Sequence, residues 1–222
     1  MLLALTGQVA ARYGEASRFG RNFVRGKLLT DPATSAILRL ATRLGGLGTV
    51  TDLGCGRGQV GLALLLAGLA ERVAGIDLDA GKIAEARGAA EARSAGAGLP
   101  AHFTVGDLAR VAVPEADTVL IFDVLLQLPE AAQQGLLGRM AAAARQRIVI
   151  RAFDPDCGWR AGVGVAMERL GCRIRGDGSD FRPLPLAAIT GPLRAAGFHT
   201  EVAPCWGWTP LPNVMLVAER AG

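Results

Sequence analysis

Apolar positions along this chain follow two alternating rhythms. From residue 48 onward, short apolar runs of strand length alternate with longer stretches whose apolar residues fall three and four apart. The short runs predict strands over 50–53, 72–76, 101–105, 118–122 and 147–152. The longer stretches predict helices over 59–69, 79–93 and 129–145. Strand and helix in turn, with strands apolar throughout, predict right-handed βαβ units: an α/β fold built on a mostly parallel sheet covered by helices on both faces.

The two ends depart from this rhythm. Residues 2–28 read as helical, with a break near Gly14 or Gly20. Asp31-Pro32 then supplies an N-cap followed by Pro at the first helical position, opening a helix that Gly45-Gly46 closes. Residues 1–44 are therefore expected to form an N-terminal helical cap, and 45–222 the main domain. Near the other end, 186–196 reads as a helix closed by Gly197. Two strands follow, over 198–203 and 213–219, with only a loop between them. A loop that short makes them antiparallel, so the parallel sheet is expected to finish in a C-terminal antiparallel hairpin. Residues 158–185, which the core pattern does not need, are expected to be a substrate-cap insertion.

Composition narrows the class. Of 222 residues, 50% are hydrophobic and 20% charged, enough to build a sizeable core. The longest apolar run, 62–67, is far short of a bilayer span, and no signal peptide is read at the start, so a cytoplasmic location is expected. Cys55, Cys157, Cys172 and Cys205 are scattered, and the histidines are only His102 and His199. That spacing suits reduced thiols and supplies no metal site. The net charge of +4 comes almost wholly from arginine, with a modest cluster at Arg12, Arg18, Arg21, Arg25 and Lys27 that is expected to form a solvated helix face. No aromatic residues alternate with it in the manner of a nucleic-acid surface.

The chemistry gathers at the predicted strand ends. The first strand runs into Asp52-Leu53-Gly54-Cys55-Gly56-Arg57-Gly58. Its glycines permit a tight turn and let backbone approach a ligand closely. Taken alone, such a loop also satisfies a dinucleotide pattern. Asp52 changes the picture, because a carboxylate there opposes a pyrophosphate and suits a cationic ammonium or sulfonium. The second strand ends in Gly75-Ile76-Asp77, placing Asp77 to accept both hydroxyls of a ribose. The third ends in Gly106-Asp107, where Asp107 can bond an adenine amino group with Leu108 beside the ring. The fourth ends in Phe122-Asp123-Val124-Leu125-Leu126-Gln127-Leu128-Pro129.

In this order the four motifs resemble those of the class I S-adenosylmethionine-dependent methyltransferases, over about residues 45–220, and the closing hairpin is typical of that Rossmann-like family. The resemblance implies S-adenosyl-L-methionine as cofactor. Asp52 and the backbone of Gly54, Cys55, Gly56 and Gly58 would hold its methionine part. Asp77 would hold the ribose, Leu78 would pack on the adenine, and Asp107 and Leu108 would frame the adenine edge. Asp123 would line the methionine end and the methyl-transfer site. The leader Arg18-Phe19-Gly20-Arg21-Asn22-Phe23, continuing to Asp31-Pro32, further resembles small methyltransferases of bacterial aryl polyene pigment pathways. Those often carry a histidine after the fourth strand. Here Leu126 and Gln127 stand in its place, so that histidine's role is not carried over.

Methyl transfer to a phenol or activated carbon benefits from a base. Asp154, after the fifth strand, is the first candidate, although Asp154 and Asp156 equally suit a turn around Pro155. Tyr13, Phe19, Gln127 and Trp159 are candidates to contact the substrate. The expected activity is methyl transfer to a small, aromatic molecule, free or presented on an acyl carrier protein. Two rivals stand beside it: a nicotinamide-dependent oxidoreductase, which Asp52 and the hairpin oppose, and a non-catalytic scaffold. A nucleic-acid methyltransferase would need a base-flipping clamp after the fourth strand, and none is read there.

Overall fold

A computed structural model describes residues 2–13, 18–92, 95–175 and 181–220. Three leader helices come first: α1 (Leu2–Ala11), α2 (Arg18–Thr30) and α3 (Pro32–Arg43). The alternating region follows as β1 (Thr49–Leu53), α4 (Gln59–Leu66), β2 (Arg72–Asp77), α5 (Ala80–Glu91), β3 (Ala101–Val105), β4 (Ala116–Phe122), α6 (Glu130–Ala143) and β5 (Ala144–Phe153). The chain continues through α7 (Gly158–Arg175), α8 (Leu186–Ala195), β6 (Phe198–Pro204) and β7 (Asn213–Arg220). The sheet has seven strands in the order β3-β2-β1-β4-β5-β7-β6. Only β7 runs against its neighbours, slotted between β5 and β6. The order reverses between β1 and β4, so a crevice opens there above the carboxyl ends of the strands.

Two apolar cores flank the sheet. On one face α6 and α8 bury Leu136, Leu137, Met140, Ile189 and Leu193 against Val119, Ile121, Ile148 and Ile150. On the other, α4 and α5 pack with Val50, Val73, Phe103 and Leu120. Alternation along each strand sends neighbours to opposite faces, so Asp52 points to the same side as Val50. Leu5, Val9, Tyr13, Val24, Leu28 and Ile37 of the leader belong to this second core, so α1, α2 and α3 are built into the same body as the sheet. Asp31 caps α3 as its sequence indicates, its carboxylate accepting from the Ala33 N–H at 3.0 Å.

Arg12 departs from the solvated face expected for the basic cluster. It is buried, and its guanidinium donates to the carbonyls of Ala89 (2.7 Å) and Ala90 (3.1 Å) at the end of α5. The last carbonyls of a helix lack partners within it and carry partial negative charge, which a buried cation satisfies. Residues 158–175, read only as an insertion, form one long helix. No described helix is long and apolar enough to cross a membrane.

Candidate functional site

The glycine loop is pinned from three directions. The Gly54 and Cys55 N–H groups donate to the Ile76 carbonyl at 2.7 and 3.1 Å, holding the loop against the end of β2. Asp77 accepts from Gly56 N–H through Oδ2 (2.8 Å) and from Asp79 N–H through Oδ1 (2.9 Å). From the leader, the Tyr13 hydroxyl donates to the Arg57 carbonyl at 2.6 Å. Gly58 has a left-handed backbone (φ +75) directly before α4, and a Cβ there would lie 2.6 Å from the Phe103 ring. Gly56 is left-handed too, but a Cβ on it would meet no protein atom within 4 Å. The loop is thus packed from behind and open in front.

In front lies a cleft of about 690 Å³, within the ordinary range for small-molecule sites. Gly54, Cys55, Gly56, Asp77, Leu78, Asp107, Leu108, Asp123 and Gln127 all line it. Leu78 is 71% exposed just past the end of β2, where it offers apolar surface to the cleft. Phe23 and Lys27 reach the same cleft from α2, and the Arg57 guanidinium lies 4.8 Å over the Phe23 ring while its Nε bonds Glu85 (2.8 Å).

Asp52 sits under the loop, buried, on β1 opposite Gly75 of β2. Burial, and then the charge of Asp77, push its carboxyl up to about 7. Its side chain accepts no hydrogen bond among the described residues, and the Gln59 Oε1 at the start of α4 is buried and equally unpartnered. A cationic or hydrogen-bond-donating ligand answers both needs, and the open Gly56 face gives it room. Cys55 packs its sulfur toward Gly75, and burial, with the charges of Asp52 and Asp77, raises its thiol, so it is a neutral filler of the loop.

At the far end of the cleft, Asp123 adopts a left-handed backbone (φ +61), the only non-glycine to do so among the described residues. That conformation costs an L-residue about 1–2 kcal/mol, least for Asp and Asn. Two bonds hold it. Its carbonyl accepts from Gln127 Nε2 (2.8 Å), and its carboxylate accepts from Arg151 Nη1 (2.6 Å). Sequence reasoning passed over Arg151 as an ordinary strand position. The signal was present: an arginine inside the apolar run Ile148-Val149-Ile150-Arg151-Ala152-Phe153 must find a buried partner.

Three expected contacts are placed elsewhere. Asp154 closes a turn, its Oδ1 accepting from Asp156 N–H (3.0 Å) and its N–H donating to the Pro212 carbonyl (3.0 Å); it is not among the residues lining the cleft. The aspartate-rich bend after β5 satisfies itself locally, as such residues do. Tyr13 is fully buried behind the glycine loop, with burial raising its hydroxyl, so it supports the loop and cannot touch a substrate. Trp159 is largely exposed on α7 beside Arg160, also outside the cleft lining. The side chain of Phe19 lies outside the described residues. No group of metal-ligating side chains occurs among the described residues.

This topology, with its strand order and inserted last strand, has known counterparts. The fold is that of the class I methyltransferases. Residues 50–147 match the family model of a methyltransferase domain. Over 141 residues the chain is 31% identical to the chloroplastic magnesium protoporphyrin IX methyltransferase of Arabidopsis thaliana. That stretch is 64% of this chain but 43% of the relative, so the match spans less than half the relative's length. Among solved structures, magnesium protoporphyrin IX methyltransferase from Synechocystis PCC 6803 with bound SAH superposes with a TM-score of 0.66. The identity is 22%, covering 97% of this chain and 94% of that one. An O-methyltransferase family protein from Burkholderia thailandensis gives a TM-score of 0.66 at 18% identity, covering 92% of this chain and 59% of that one.

Proposed function

We propose that this protein is a methyltransferase that uses S-adenosylmethionine to methylate a small, aromatic acceptor of pigment or secondary-metabolite type. The reading rests on one observation above others: two carboxylates, Asp52 beneath the glycine loop and Asp77 at the next strand tip, flank a loop whose front is open at Gly56. Relatives that act on magnesium protoporphyrin IX, by their names, support a planar aromatic acceptor, and Phe23 and Phe122 give the cleft aromatic walls suited to one.

S-adenosylmethionine supplies an electrophilic methyl on a sulfonium with a neutral leaving group. The protein's share is alignment and exclusion of water. Asp77 keeps the loop in shape and has lone pairs left for ribose hydroxyls. Leu78 and Leu108 sandwich the adenine, with Asp107 at its edge. The negative field of Asp52 favours the sulfonium cofactor over its product, which has lost that positive charge. Asp123 and Gln127 border the space where the acceptor meets the methyl group. Asp154, held in its own turn, lies outside the cleft lining.

Calorimetric titration of the full chain separates this reading from an oxidoreductase. S-adenosylmethionine is expected to bind with micromolar affinity, and Asp77→Ala to weaken it at least tenfold. Tight binding of NAD, with none of S-adenosylmethionine, would overturn the proposal. Methyl labelling of small-molecule extracts then identifies the acceptor.

A further inference from the structure

We infer that Arg151 is a positioning residue which sets Asp123 against the amino-acid end of the cofactor and ties the leader to that end through Asp31; this rests on the cofactor reading proposed above. Arg151 lies on β5, in register with Phe122 of β4, and only 6% of its side chain is exposed. One nitrogen, Nη1, serves two carboxylates: Asp123 Oδ2 at 2.6 Å, and Asp31 Oδ1 and Oδ2 at 2.9 and 3.1 Å. Its Nε is buried with no partner.

A guanidinium so placed loses most of its hydration, and an apolar side chain of similar volume would serve stability as well or better. What an apolar residue could not do is hold two particular carboxylates. Each of the two has a separate duty. Asp123 lines the cleft in the strained backbone conformation that strand ends adopt at functional sites, with its side chain 37% exposed. Asp31 caps α3 and stands 3.9 Å from Lys27, which lines the same cleft from α2. Lys27, Asp31, Arg151 and Asp123 thus form a chain of alternating charge whose two ends face the cleft and whose middle lies behind its wall. Among the described residues, no hydrogen bond or ion pair joins Lys27, Asp31 or Arg151 to the nucleoside half of the cleft, built on Asp77, Leu78 and Asp107. Loss of Arg151 should therefore damage one half of the cofactor site and spare the other.

Two ligands read the halves separately: S-adenosylhomocysteine, which carries the amino-acid end, and 5′-methylthioadenosine, which lacks it. With Arg151→Met, binding of S-adenosylhomocysteine should weaken about tenfold while that of methylthioadenosine stays within about twofold. Arg151→Lys, keeping the charge, should recover most of the loss. Asp31→Asn, which retains a capping side chain but drops the charge, should give an intermediate loss confined to S-adenosylhomocysteine and keeps the test open if Arg151→Met does not fold. Equal weakening of both ligands, or no change in either for folded variants, would overturn the role given to Arg151. Wild-type protein that binds neither ligand would instead bring down the cofactor reading on which it rests.

Discussion

The hydroxyl of Tyr13 and the backbone carbonyl of Arg57 are 2.6 Å apart, and through them the end of α1 supports the turn of the glycine loop. Tyr13→Phe removes the donor of this partly buried hydrogen bond, at a cost of about 1 kcal/mol. The expected result is a lower urea midpoint with unchanged slope, together with cofactor binding weakened several-fold. An unaltered midpoint would mean that the leader does not brace the loop.

Asp52 makes folding stability depend on pH. Burial raises its carboxyl from the ordinary carboxylate range, about 4, to about 7, so between those limits the folded protein holds a proton that the unfolded chain has released. Its contribution is fully present below pH ~4 and is lost as pH rises through about 7. Asp52→Asn should flatten that decline, which is compared by urea unfolding at pH 5 and pH 8. A decline of equal steepness in the variant would assign it to other groups. Binding a cation beside Asp52 favours its charged form, so S-adenosylmethionine should be bound more tightly above pH 7 than below, and the variant should lose the difference.

Gly58 tolerates no side chain. Its φ of +75 strains any L-residue, and a Cβ would meet the Phe103 ring at 2.6 Å. Gly58→Ala should cost about 1–3 kcal/mol and abolish measurable cofactor binding, since Phe103 and the loop cannot both stay in place. Gly56→Ala carries the left-handed backbone cost (φ +56), about 1–2 kcal/mol, but no clash, so it should lose less stability than Gly58→Ala yet still bind poorly, because the methyl group would occupy room left for the ligand.

Leu78 separates binding from stability. It is exposed at the cleft, so Leu78→Ala should change the unfolding free energy by no more than about 0.5 kcal/mol. The same substitution should weaken cofactor binding several-fold, about 1 kcal/mol of lost apolar contact. Thermal unfolding with and without S-adenosylhomocysteine measures both; a large drop without ligand would mean that Leu78 belongs to the core.

Most strand ends were legible to within a residue because the buried runs are short, apolar and bounded by glycine, aspartate or proline, but β4 starts two residues and β5 three residues earlier than their apolar runs, β5 taking up residues 144 and 145 that read as helix. The four strand-tip motifs were legible for a related reason: a polar residue that ends an apolar strand has only the crevice to face. Long-range partners were harder to read. Arg12 looked like a surface charge, yet it crosses to carbonyls 77 and 78 positions away. Arg151 needs Asp31, 120 positions earlier, and no local pattern announces that pairing. The helix over 158–175 was hidden by glycines that argue against helix formation. Gly164 is required there because the Phe153 ring and Pro212 fill the space a Cβ would take. Asp154 misled for the opposite reason, since its position at a strand end suggested the crevice while its own turn absorbs it.

β7 is the last strand in sequence but lies inside the sheet, with β5 on one flank and β6 on the other. Until residue 220 has left the ribosome, β5 presents a bare hydrogen-bonding edge and the apolar side chains of β7 have nothing to cover. The part of the sheet that carries Arg151 is therefore complete only once β7 has been made. A chain cut before β7 would lack the strand that covers the edge of β5, and with it the neighbour that pairs directly with Arg151 through Met215.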